Sequence, residues 1–114
     1  MINLLRFLPV DMDREHFETL LEADRLRVEL IVSRGQASPE QGWYDQALDE
    51  WVVVLTGQAR LAFEDEAREV SLGPGDHLTI AAHRRHRVTW TAPDIETRWL
   101  AIHFAASGDA SPLD

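Results

Sequence analysis

The chain has 114 residues, enough for one apolar core and too few for a second domain of ordinary size. Hydrophobic residues make up 45% and charged residues 27% of it, the balance of a soluble globular chain rather than a disordered or membrane-embedded one. Twenty acidic against eleven basic residues give a formal charge of -9, which repels nucleic-acid and anionic-lipid phosphates and leaves neither as an expected partner.

With no cysteine, the chain has no disulfide, no thiolate metal site and no cysteine nucleophile. A cytoplasmic location fits that composition. The start MINLLRFLPVD lacks a long apolar region followed by small residues, so it reads as mature protein rather than a secretory leader.

Along the chain, Asp13 to Ala23 carries Phe17, Leu20 and Leu21 at i, i+3, i+4, with Asp13 placed as an N-cap; this spacing predicts a short amphipathic helix over 13–23. Arg27 to Ser33 alternates, with Val28, Leu30 and Val32 on one face and Arg27, Glu29 and Ser33 on the other. That two-residue period predicts the first strand. Gly35, Ser38, Pro39 and Gly42 then break regular structure ahead of Trp43 and Tyr44.

Trp51 to Leu55 is an unbroken apolar run rich in valine, too short for a core helix and suited to a strand buried on both faces. Further strands are predicted at Ala59–Phe63, Arg68–Leu72, His77–Ala82, His86–Thr91 and Thr97–Phe104, separated by turn residues such as Gly73-Pro74-Gly75-Asp76. The tail over 105–114 is expected to be flexible. About seven short strands at close spacing make the fold all-β, and periodicity alone leaves a sandwich and a barrel equally open.

Two strings decide between them: EWVVVLTG at Glu50–Gly57 and LGPGDHLTIAAHRRHRVTW at Leu72–Trp90. Together they resemble the two motifs of the cupin family. Glu50 and Gly57 match the end of the first motif, and Gly75 with His86 match the ends of the second. The resemblance implies a double-stranded β-helix, or jelly-roll, barrel over about 27–104, as a single cupin domain across 1–114. It departs from the family pattern where Tyr44 and Gln46 occupy the first motif's two histidine positions, and where Ala81 and His83 replace its proline and glycine.

In that family the motifs hold Zn, Fe, Mn or Ni through three histidines and a glutamate. Carried over residue by residue, the resemblance leaves Glu50 and His86 as metal ligands, with Gln46 offering a weaker carbonyl oxygen and His83 a further imidazole. Each has a plainer reading. Glu50 would be a strand-end carboxylate paired with arginine, and His83 an exposed turn residue; His77 reads as a surface residue.

His103, set among Trp99, Leu100, Ala101, Ile102 and Phe104, reads as a hydrogen-bonded core histidine or a reserve pocket residue. Tyr44 and Gln46 could orient a ligand through their polar tips, and Trp43 and Trp90 could offer stacking surface at a pocket mouth. The arginines Arg84, Arg85 and Arg87 could attract an anion, although salt bridges to the abundant acids are the expectation.

Two functions follow. In one, a divalent metal held by His86 and Glu50 acts on a small molecule as an oxygenase or isomerase centre, with Glu50 and His86 as the alternative acid–base pair of a metal-free isomerase. In the other, Tyr44, Gln46, Trp90, His86 and His103 line a non-catalytic binding or sensor pocket. A homodimer is expected in either case, and a mainly structural role as a dimer is the third reading.

Overall fold

The structure, a computed structural model, describes residues 1–8 and 13–105. Eight strands run in chain order: β1 (His16–Ala23), β2 (Leu26–Ser33), β3 (Asp49–Thr56), β4 (Ala59–Phe63), β5 (Val70–Leu72), β6 (His77–Ile80), β7 (His86–Thr91) and β8 (Thr97–Phe104). They pair antiparallel in two sheets, one ordered β1-β2-β8-β3-β6 and the other β5-β4-β7. Among the described residues no helix is long and apolar enough to cross a membrane. Beyond Ala105 the expected flexible tail lies outside the described residues.

The predicted helix over 13–23 is instead the edge strand β1, paired with β2 from His16↔Val32 to Ala23↔Leu26. A register shift between Thr19 and Leu21 explains the misleading pattern. An extra residue at a β-bulge breaks the two-residue alternation. Phe17, Leu20 and Leu21 thereby acquire the three- and four-residue spacing of a helix face while remaining extended.

The core lies between the sheets. From β3 and β8 come Val52, Val54, Trp99 and Ala101; Ala59, Leu61, Phe63, Leu72 and Ile80 complete it. On β3 the alternation is visible after all: Val52 and Val54 are buried, whereas Trp51, Val53 and Leu55 are half-buried on the outer face. Trp51 packs there against His77, donating from Nε1 to Nδ1 at 3.2 Å.

The register of β2 with β8 fixes which face of β2 looks inward. Ile31 stands opposite Trp99, Glu29 opposite Ala101 and Arg27 opposite His103, so the face carrying Arg27 and Glu29 points to the interior. Leu30 and Val32 point outward, yet are only 0% and 1% exposed. The N-terminal segment crosses that face: Arg6 Nη2 bonds both carboxylate oxygens of Glu18 at 2.7 and 2.8 Å, and the buried Arg98 donates from Nη1 to the Leu4 carbonyl at 2.8 Å. Covering the outer face of β2 in this way offsets its position near the sheet edge.

Candidate functional site

Three strands set a polar row across the inner face of the larger sheet. Residues opposite each other on neighbouring strands project to the same side. Arg27 on β2 stands opposite His103 on β8, and His103 opposite Glu50 on β3. His86 arrives from β7 of the facing sheet, opposite Phe63. Its backbone also exchanges hydrogen bonds with Tyr44, which is tied to the barrel by that bridge.

The loop before β3 is clipped to the β6–β7 turn in two places. His83 N donates to the Gln46 carbonyl at 2.7 Å, and Ala82 N to Asp49 Oδ1 at 2.7 Å. These bonds bring Gln46 over the polar row. Its Nε2 donates to Glu50 Oε1 at 2.8 Å and lies 3.4 Å from His86 Nε2.

His86 Nδ1 lies 2.8 Å from the Arg84 carbonyl, an acceptor only, so the proton resides on Nδ1 and the Nε2 lone pair is left for the interior. Glu50 Oε1 is 3.9 Å from His86 Nε2 and 3.6 Å from His103 Nε2. The three side chains are 12%, 7% and 7% exposed respectively. Burial pushes the Glu50 carboxyl up, but hydrogen bonds from His103 and Gln46, together with the fields of the two imidazoles, outweigh it and hold the group below its ordinary value. Glu50 is thus a buried carboxylate.

The cluster borders a cavity of about 320 Å³. Tyr44, Gln46, Glu50, His86 and His103 line its polar end; Phe17, Ile31, Val52, Leu61, Ile80, Val88 and Trp99 supply apolar wall. Glu15, Arg27, Glu29 and Ser38 complete the lining. A concave space with apolar walls and a few convergent polar groups is the usual form of a small-molecule site.

Residues 29–103 match the family model described as the cupin domain. The chain belongs to the cupin family. Its structure is similar to that of a protein from Ralstonia eutropha JMP134 proposed to be a mannose-6-phosphate isomerase, with 44% identity over 93% of this chain and 98% of that one and a TM-score of 0.89. At 20% identity, a cupin superfamily protein from Desulfitobacterium hafniense DCB-2 superposes with a TM-score of 0.71 over 87% of this chain and 84% of that one. The DMSP lyase DddQ of Ruegeria pomeroyi DSS-3 does so at 21% identity and 0.69, over 92% of this chain and 54% of that one. Those two likenesses concern the fold alone. Comparison with curated protein sequences gave no match.

Within this cupin, two residues expected at the site stand elsewhere. His83 holds the left-handed conformation, φ 66°, at the position where the family motif carries glycine; histidine is among the residues that tolerate it. The turn therefore survives, but the side chain is thrown outward, 69% exposed, with Nδ1 2.7 Å from Asp45 Oδ1. Trp90 is not among the cavity-lining residues. A register shift between Arg60 and Leu61 pairs Leu61 with Val88 but Arg60 with Trp90, so Trp90 changes face and its ring lies 4.8 Å below the Arg60 guanidinium.

The arginines of the β6–β7 turn bridge to acids, as expected. Arg84 reaches Asp65 and Glu66 while lying 3.8 Å over the Phe63 ring, and Arg85 reaches Glu64 and Asp45. Arg87 lies over the Trp43 ring and donates to the Glu40 carbonyl.

Sequence reasoning passed over Arg27, Glu29, Glu15 and Phe17 as site residues. On β2 the polar half of the alternation lines the cavity and the apolar half is covered from outside. Nothing within one strand says which face a polar side chain serves. The signal lies in the register with β8, where Arg27 meets His103.

Proposed function

We propose that this cupin binds a small molecule in its cavity and shifts a proton on it, with Glu50 as the base and His103 as the proton donor. The observation that supports it is a buried carboxylate with two imidazole Nε2 atoms within 3.9 Å, all bordering one cavity. Because Glu50 is held below its ordinary value, it is ionised at neutral pH but a weak base. It suits a proton already acidified, as on a carbon beside a carbonyl, whose oxygen a histidine N–H would polarise. The Ralstonia relative is proposed to be a mannose-6-phosphate isomerase, and isomerisation of a sugar can proceed by shifting a proton between adjacent carbons. The homodimer expected from the sequence belongs to the same proposal.

A divalent metal is the second reading, favoured by the His86 Nε2 lone pair left facing inward. In kind the donors suit a borderline ion: one carboxylate, two imidazoles and an amide. In placement they do not. Gln46 turns its amide nitrogen, a donor, toward both Glu50 and His86. Among the described residues no group of three histidine, aspartate or glutamate side chains is arranged to hold an ion. Turning the amide over would offer its carbonyl, and an ion bound there would act as a Lewis acid on a ligand oxygen.

The test is deuterium exchange from solvent into a panel of α-hydroxy ketones and aldehydes, followed by NMR, with metal analysis of untagged protein after exposure to Fe, Mn, Ni and Zn. Wild type is expected to catalyse exchange at the carbon beside a carbonyl, and Glu50→Gln to lower it by about a hundredfold or more. Stoichiometric metal lost in His86→Ala would establish the second reading. Exchange unchanged in Glu50→Gln would remove the first.

A further inference from the structure

Two buried polar atoms near the cluster have no hydrogen-bond partner: Arg27 Nε and His103 Nδ1. They belong to residues that stand directly opposite each other on β2 and β8. Arg27 and His103 both line the cavity, and among the described residues Arg27 has no ion-pair partner. Glu29, two residues along the same face, forms no pair with it.

Arg27 is half-buried, with its Nε shut off from water and unpartnered, and a buried polar nitrogen without a partner is costly, on the guanidinium as on the imidazole ring. Such groups persist where a ligand completes them. We propose that Arg27 binds, through its forked N–H groups, a carboxylate carried by the small molecule of the cavity, with His103 beside it on β8. This rests on the reading of the cavity as a ligand site and names the class of ligand it takes. A carboxylate matches the forked N–H geometry of arginine.

The charge of the lining selects a singly charged group. Glu15, Glu29 and Glu50 border the same cavity, and a dianionic phosphate would meet three carboxylates against one guanidinium. A monoanion meets less repulsion for the same fork. The remaining wall, with Ile31, Val52 and Trp99, calls for an apolar body. The ligand is therefore a compact monocarboxylate, its acid group at β2 and its apolar part along the β3 and β8 wall.

Benzoate and its uncharged isostere benzamide are the probes, with inorganic phosphate as the dianion, titrated calorimetrically into the full chain. Wild type is expected to prefer benzoate over benzamide, and Arg27→Gln to weaken benzoate by about tenfold to a hundredfold, the usual worth of a charge-assisted hydrogen bond. Benzamide should change little. Arg27→Lys, which keeps the charge and loses the fork, should fall between, with far-UV circular dichroism confirming that both variants fold.

Equal affinity for the two probes in wild type, an undiminished preference in Arg27→Gln, or phosphate displacing benzoate would overturn the assignment. The proton-shift reading has its own readout: loss of solvent exchange alone leaves the benzoate preference standing, and loss of the preference alone leaves the exchange.

Discussion

Gly57 is the position where the backbone leaves least choice, and its substitution by alanine is the sharpest test of the fold that presents the site. Its φ is +87°, a region in which an L side chain costs about 1–2 kcal/mol. A Cβ there would stand 2.3 Å from Thr97 Oγ1, 2.5 Å from Thr97 Cα and 2.7 Å from the Glu96 carbonyl. Two of those three contacts are backbone atoms, which cannot swing aside. Thr97 Oγ1 accepts from Gln58 N at 3.2 Å and donates to Gln58 O at 3.1 Å. Displacing Thr97 forfeits both bonds, at roughly 1 kcal/mol each.

Gly57→Ala should therefore cost about 3–4 kcal/mol, a large part of the roughly 5–15 kcal/mol that holds a domain folded. Gly75→Ala is the control. Its φ is +88°, but nothing lies within 4 Å of the added carbon, so only the conformational cost of about 1–2 kcal/mol applies. Urea titrations followed by tryptophan fluorescence, fitted with a common slope, give both values. If the two variants fall within about 0.5 kcal/mol of each other, the close approach of the β3–β4 turn to the start of β8 is wrong.

Stability should fall more steeply in acid for wild type than for Glu50→Gln. The Glu50 carboxyl in the folded chain lies below its ordinary value of 4.5, so the unfolded chain binds the proton more readily. The contribution is complete above about pH 4.5 and is lost as pH falls through the lower folded value; parallel curves for the two proteins between pH 6 and 3 would contradict this. Trp90→Ala should cost about 0.5–1 kcal/mol, the worth of an exposed cation–π contact with Arg60, and leave benzoate affinity unchanged. A drop in that affinity would show that the ring faces the cavity.

The sequence carries the convergence of Glu50 and His86 because both sit at fixed offsets inside family motifs, Glu50 seven residues before Gly57 and His86 eleven after Gly75. Strand positions from Trp51 onward are equally legible, since each is bounded by turn residues. Bulges are not. The one near Thr19 disguises β1 as a helix, and the one opposite Arg60 sends Trp90 outward, in both cases because a single extra residue inverts every inference from alternation. His83 misleads differently: the motif requires a left-handed turn, histidine supplies it, and the side chain then has nowhere to go but solvent.

What the register adds is a direction within the cavity. Across the larger sheet the inward rows read Arg27, His103, Glu50; then Glu29, Ala101, Val52; then Ile31, Trp99, Val54. Polarity falls from the first row to the third. The small side chain of Ala101, 0% exposed between Glu29 and Val52, leaves the middle of the sheet recessed, so depth is available where the wall turns apolar. His86 and Gln46 meet the first row from the opposite side, which concentrates hydrogen-bonding groups at one end. A ligand entering such a gradient is oriented before any chemistry: its polar end is held where Glu50 and His103 can exchange protons with it, and its apolar end displaces water along Trp99 and Val52. That orientation requires only the antiparallel pairing of β2, β8 and β3, and it would set an acid group bound at Arg27 one strand away from the carboxylate of Glu50.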